Sequence, residues 1–167
     1  LVINKRIEDI GLRLKDWKGI EFNAGIKTAF NPAYHINEAT KAELIKLDSK
    51  NKEIIKPLLR GKDIKRWLYA YQNWYMLNTH NGIREIALEP INVKRDYPSI
   101  YNYLNQWKEE LVARQDKGEH WTNLRNCAFL DEFEKQKIVW IEISDRANYA
   151  LDTKGFYLTN SAYFLSG

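Results

Sequence analysis

The 167 residues carry one cysteine, 26 Lys and Arg against 22 Asp and Glu, and hence a net charge of +4. That length buries a single core without staples, and a lone Cys127 excludes an internal disulfide framework and fits a reducing compartment. An uninterrupted apolar run of about 18 residues is missing, as is a basic-then-apolar N-terminus, so the expectation is a cytoplasmic protein with no membrane association.

In chain order, Ile3, Ile7, Ile10 and Leu14 recur on one face of a helix. Trp17, Ile20 and Phe22 then give residues 16–22 a strand-like pattern. Thr40-Lys41-Ala42-Glu43 reads as a capping box opening a short helix through Leu44, Ile45 and Leu47. A second short helix is expected over residues 50–56, ended by Pro57. Residues 67–77, rich in Trp and Tyr, read as a strand or hairpin.

Asp96-Tyr97-Pro98 starts a helix, with proline in the first turn where its missing amide costs nothing. Ile100, Leu104, Trp107 and Leu111 continue it to about Ala113. Residues 137–143 (KIVWIEI) form the strongest strand pattern, followed by strands over 148–151 and 155–158 joined by a turn at 152–155. Residues 162–165 pair beside them. The fold class is α+β: a single domain of several short, mostly antiparallel strands with about four helices. The cut-looking ends, Leu1 and Gly167, lead us to expect a piece of a longer polypeptide, with residues 1–15 a linker helix and 16–167 one domain.

Asn31-Pro32-Ala33-Tyr34 is one residue away from Asn-Pro-Pro-Tyr, the signature with which adenine-specific DNA methyltransferases hold the adenine amino group and stack on the base. The second proline is missing, and only 30 residues precede Asn31, too few for a strand and Gly-rich loop of a nucleotide-binding fold. Gly25-Ile26-Lys27-Thr28 lacks the spacing of a phosphate-binding loop. His35, His80 and His120 are scattered, with no metal-ligand spacing, and no nucleophile elbow occurs. We therefore expect no catalytic residue, no metal and no cofactor in this chain.

Residues 54–67, IIKPLLRGKDIKRW, hold five basic side chains against one acidic, a local footprint suited to a polyanion. Together with GIKTAFNPAYHI, YPSIYNYLNQWKEELVARQDKGEHWTNLRNCAF, EKQKIVWIEIS and GFYLTNSAYFL, in that order along the chain, this stretch resembles the TaqI-like C-terminal specificity domain. The likeness runs from about Leu14 to Leu165. Ala29 stands where relatives carry Gly, and Gln136 where many carry Pro. The resemblance implies a target recognition domain of an adenine-specific DNA methyltransferase, including the type IIG restriction-modification enzymes. It implies double-stranded DNA as partner, and S-adenosylmethionine in a separate methyltransferase domain in cis. The Asn-Pro-Ala-Tyr run then becomes part of a recognition-domain strand and turn.

On that reading, contacts to the DNA backbone are expected from Lys27, Thr28, Lys56, Arg60, Lys62, Lys65, Arg66, Arg114, Lys117 and Arg125, which set register and affinity. Base reading is expected from variable-looking stretches, with Asn78, His80, Asn81, Arg84, Arg146 and Asn148 as candidates, because Arg suits guanine and Asn adenine. Two other classes stay open. A docking module of a restriction-modification complex would use the apolar stripe over residues 3–14 and show no salt-dependent DNA binding. An RNA-binding module would stack unpaired bases on Tyr and Trp and prefer single strands.

Overall fold

The KIVWI alternation forms the strand around which one of two sheets is built. The computed structural model describes residues 2–167, with the side chains of residues 2–4, 7 and 15 outside the description. The chain opens with α1 (Val2–Ile10), β1 (Glu21–Ala24), α2 (Asn31–Tyr34), β2 (His35–Asn37) and α3 (Glu38–Leu47). It continues with β3 (Ile55–Leu59), β4 (Ile64–Lys65), β5 (Leu68–Tyr69) and β6 (Trp74–Leu77). Then come α4 (Val93–Asp96), α5 (Pro98–Leu104), α6 (Lys108–Ala113), β7 (Lys137–Ile141), β8 (Tyr149–Asp152), β9 (Tyr157–Leu158) and β10 (Ala162–Ser166).

One four-stranded sheet has the order β1-β10-β7-β8, antiparallel throughout; a second runs β2-β6-β3-β9, with β9 parallel to β3; β4 and β5 form a separate hairpin. The class is α+β. Val139, Ala150 and Phe164 fill the inner face of the first sheet, and Ile36, Leu58, Met76 and Leu77 belong to the same buried core. Phe133, on a 3-10 turn, links the two sheets: it stacks on Tyr157 at 4.8 Å and packs against Phe164 at 4.8 Å. Burying one such phenyl ring contributes about 1.5–3 kcal/mol.

The outer face of the first sheet is also apolar. Phe22, Leu165, Ile138 and Leu151 line up in one cross-strand row, and Ala24, Tyr163, Trp140 and Tyr149 in the next. Phe22, Ile138, Tyr149 and Leu151 of this face are exposed.

Several local expectations change. The cap of α3 is Asn37, whose side chain accepts the Thr40 amide at 2.9 Å; the helix starts at Glu38, so Thr40 lies inside its first turn, and asparagine is as good a cap as threonine or better. Residues 49–53 form a 3-10 stretch capped by Asp48, and β3 then runs straight through Pro57. The Asn78 amide bonds the Ile54 carbonyl at 2.7 Å, so alternation along the β3–β6 ladder turns the Pro57 nitrogen away from β6. On its other side β9 pairs only with Leu58 and Leu59. Proline therefore removes no ladder bond.

The expected strand at 67–77 is broken at residues 70–73, and the expected long helix after Pro98 is α5, a 3-10 turn and α6 in succession. The turn at 152–155 exists, with Gly155 at φ +72°, yet it carries the chain from the first sheet into the second instead of closing a hairpin. The apolar stripe expected on residues 3–14 involves Ile3 and Ile7, which lie outside the described side chains; Ile10 and Leu14 are exposed.

Ala29 adopts φ +57°, a left-handed conformation that glycine takes at lower cost. At Gly25 the reason is space, since a Cβ there would run into the Thr159 carbonyl.

His35 supplies a pH signature. Burial, reinforced by the nearby Arg60 guanidinium, lowers its pKa from 6.5 to about 4, and its Nε2 is buried without a hydrogen-bond partner. The fold thus favours the neutral ring. Its contribution is complete above pH 6.5 and is lost as pH falls toward 4, by about 3 kcal/mol. Urea unfolding across that window should show His35→Gln losing less stability than the parent chain; parallel curves would exclude the assignment.

Candidate nucleic-acid interface

The basic run of residues 54–67 does not form a uniform face. Arg60 is turned inward, its Nε and Nη2 donating to the two Asp63 carboxylate oxygens at 2.8 and 3.0 Å while its guanidinium lies 4.8 Å from the Trp74 ring. Lys56 pairs with Glu134 at 2.9 Å. These two secure β3 and the turn after it.

The exposed remainder sits on the β4–β5 hairpin. Ile64 opposes Tyr69 and Lys65 opposes Leu68, which leaves Arg66 and Trp67 as the two turn residues. Ile64 is buried and anchors the hairpin, so Lys62, Lys65, Arg66 and Trp67 face solvent. The Lys65 ammonium donates to the Lys62 carbonyl at 2.8 Å, an exposed contact that a phosphate can displace. Trp67 has φ +67°, a left-handed backbone in which a two-residue hairpin turn ordinarily carries Gly or Asn.

A second loop, residues 142–148 between β7 and β8, stands beside this hairpin. The Trp67 amide donates to the Tyr149 carbonyl at 2.8 Å, and Lys62 and Ile143 line one shared hollow. Within the loop Ser144 Oγ accepts from the Arg146 amide at 3.2 Å and from Asn148 Nδ2 at 2.9 Å, which fixes its curvature. Arg146 projects into solvent, with Asp145 at 3.7 Å. The structure thus joins Lys62, Lys65, Arg66, Arg146 and Asn148 on two neighbouring loop tips, although they lie far apart in sequence.

Other candidates separate from this group. Arg114 is a buried hub: Nη1 donates to the Thr28 carbonyl at 2.7 Å, and Nη2 to Tyr34 Oη at 2.9 Å and the Trp121 carbonyl at 2.7 Å. Burial pulls its pKa down against the attraction of Tyr34, whose own hydroxyl burial pushes up to about 12. Arg114 and Thr28, both buried, have no surface left for a phosphate and serve the fold.

Asn78 is likewise buried against Tyr157 and cannot reach a base edge. Lys27 pairs with Asp116 at 2.6 Å, and Arg125 approaches the same carboxylate at 3.7 Å, which holds Asp116 below the usual carboxylate range. Lys117 is exposed and donates to the Val112 carbonyl. His80 is half-buried, its Nδ1 accepting the Gly82 amide at 3.1 Å, and burial lowers its pKa. Asn81 and Arg84 line a groove of about 720 Å³ together with Glu85, Glu89, Glu119 and Asn126, an acidic setting that repels a phosphodiester.

Asn31-Pro32-Ala33-Tyr34 is α2, a single helical turn with Tyr34 fully buried and its hydroxyl donating to the Thr122 carbonyl at 3.0 Å. That ring cannot stack on an extruded adenine. Sequence reading placed Trp67 at the start of a strand or hairpin over residues 67–77; the two-residue spacing between Ile64-Lys65 and Leu68-Tyr69 is the signal that marks it as a hairpin turn residue. Among the described residues no group of three or more His, Cys, Asp or Glu is placed to hold a metal, and no helix is long and apolar enough to cross a membrane.

The fold is similar to part of a solved chain described as the type IIL restriction-modification enzyme MmeI in complex with DNA, with a TM-score of 0.61 and 10% sequence identity. The match covers 89% of this chain and 19% of MmeI, so the chain spans about a fifth of that enzyme's length. Comparison with curated proteins gave no match. The model of the TaqI-like C-terminal specificity domain matches residues 56–166, about two-thirds of the chain, and takes in β3 from its second residue, every strand from β4 to β10 and both loop tips; the chain belongs to this family.

Proposed function

We propose that this chain is the double-stranded DNA recognition domain of an adenine-specific methyltransferase of a restriction-modification system, type IIG in organisation and cytoplasmic. The observation that carries the proposal is the pair of adjacent loop tips, which concentrates Lys62, Lys65, Arg66 and Arg146 against two carboxylates, Asp145 and Glu142, the latter engaged by the Tyr163 hydroxyl. Lys62, Lys65 and Arg66 are assigned to phosphates, which fix register, and Arg146 and Asn148 to base edges. Membership in a specificity-domain family supports this, as does the description of MmeI as a restriction-modification enzyme in complex with DNA. No step of methyl transfer is assigned to these residues. S-adenosylmethionine belongs to a methyltransferase domain in cis, since the Asn-Pro-Ala-Tyr turn is packed into the core.

Salt titration of duplex binding tests the reading. About three phosphate contacts give a log–log slope near −3, and Lys62→Ala with Lys65→Ala should flatten it by about two units while sequence preference stays. An unchanged slope in the double variant counts against this face. Exchanging the segment for a relative's in the full-length gene, followed by modified-base sequencing, tests the enzymatic context: the methylated adenine motif should change with the segment.

One observation favours a second reading. The exposed apolar rows on the outer face of the first sheet suit docking on a protein. A pure docking module predicts a saturable complex with a partner subunit and no salt-dependent DNA binding.

A further inference from the structure

We propose that Trp67 and Ile143 form a paired apolar wedge that enters a base step of the bound duplex, with Arg66 seated on the adjoining phosphate and Arg146 at the neighbouring base edge. The proposal rests on the DNA-recognition reading and adds to it a mode of binding, namely deformation of the duplex at a defined step.

Ile143 is 89% exposed and Trp67 68%, the first where its loop leaves β7 and the second in the turn of its hairpin. Single exposed apolar side chains are ordinary. Here the two loops are neighbours, tied by the bond from the Trp67 amide to the Tyr149 carbonyl. Each also has an arginine at hand: Arg66 lies 5.7 Å from the Trp67 ring, and Arg146 shares the loop of Ile143. Apolar side chains flanked by cations are the chemistry of proteins that part a base step and hold the bent duplex by its phosphates.

The backbone adds an independent observation. A bulky side chain at φ +67° is disfavoured relative to glycine, and such outliers persist where the surrounding structure enforces them, commonly at binding sites. A wedge must also be stiffly backed, because it works against base stacking. The backing is present: Ile64 is buried beneath the hairpin, Asp63 is clamped by Arg60, and the Gly61 amide donates to Thr159 Oγ1 at 3.4 Å.

The test uses the full-length protein and a duplex bearing the motif found by modified-base sequencing. 2-Aminopurine is walked through every position except the methylated adenine, and end-to-end energy transfer reports bending. With the parent sequence, fluorescence should rise severalfold at one step on saturation. Trp67→Ala with Ile143→Ala should cut that rise at least fivefold and straighten the duplex, while Lys62→Ala with Lys65→Ala weakens binding yet keeps the rise at saturation. Trp67→Gly is the second variant: the left-handed position prefers glycine, so its urea midpoint should hold or increase while the fluorescence rise falls.

Unchanged fluorescence and bending in the saturated wedge variants would overturn the wedge and leave DNA recognition standing. Loss of a partner-subunit complex in those variants, with DNA deformation intact, would overturn it in favour of a protein-docking tip. Failure of the parent protein to bind duplex DNA would remove the recognition reading, and the wedge with it.

Discussion

Lys137→Met should lower the stability of the chain by about 3–5 kcal/mol, read as a reduced urea midpoint, because it leaves a buried carboxylate without its cation. Lys137 and Asp152 are both fully buried, with Nζ 2.6 Å from Oδ2, and Nζ also donates to the Phe133 carbonyl. Burial draws the lysine pKa down, while Asp152 opposes it. Against a typical total of about 5–15 kcal/mol, a loss of this size removes a large part of the stability. Replacing both partners with apolar residues should not restore it. Asp152 also accepts the amides of Lys154 at 2.8 Å and Phe156 at 2.9 Å, and so holds the turn that leads from β8 to β9. A double variant as stable as the parent would show that the turn does not need those bonds.

Arg114→Ala should cost a similar amount, about 3–5 kcal/mol, and should leave the salt dependence of DNA binding unchanged under conditions where the variant is folded. The side chain satisfies the carbonyls of Leu111, Thr28, Trp121 and Asn123 and the Tyr34 hydroxyl at once. Its removal orphans groups on three separate stretches of chain. Arg114→Lys should recover little, because one ammonium cannot reach the positions spanned by a planar fork. The opposite pattern, a salt slope flattened by about one unit with an unchanged urea midpoint, would make Arg114 a phosphate ligand after all.

Arg114 also marks the limit of reading charge from sequence. Among neighbours such as Lys117 it resembles any solvated cation, and what makes it structural comes from Thr28 and Tyr34, far away along the chain. The same applies to Arg60, neutralised by Asp63 three residues on. Elements governed by local rules were legible: β7 from its alternation, the start of α5 from Pro98, the α+β class from the mixture of both. Elements governed by distant partners were not. Pro57 signals a break in sequence, yet it lies in a strand because the unpaired side of the ladder receives its nitrogen. The loop tips could be nominated separately, as a basic run and a variable stretch, while their adjacency depends on the bond between Trp67 and Tyr149.

The strand order of the first sheet constrains how the chain can fold as it leaves the ribosome. β1 pairs with β10, and β10 separates β1 from β7. Until Ser166 has emerged, Glu21 has no ladder partner, and β7 and β8 exist only as a hairpin, an arrangement of marginal stability by itself. Contacts of such sequence separation form slowly, and elongation at about 5–20 residues per second leaves β1 and the apolar side chains of β7 unpaired throughout. Nascent chains arrested before β10 should therefore remain protease-sensitive in both sheets' shared core.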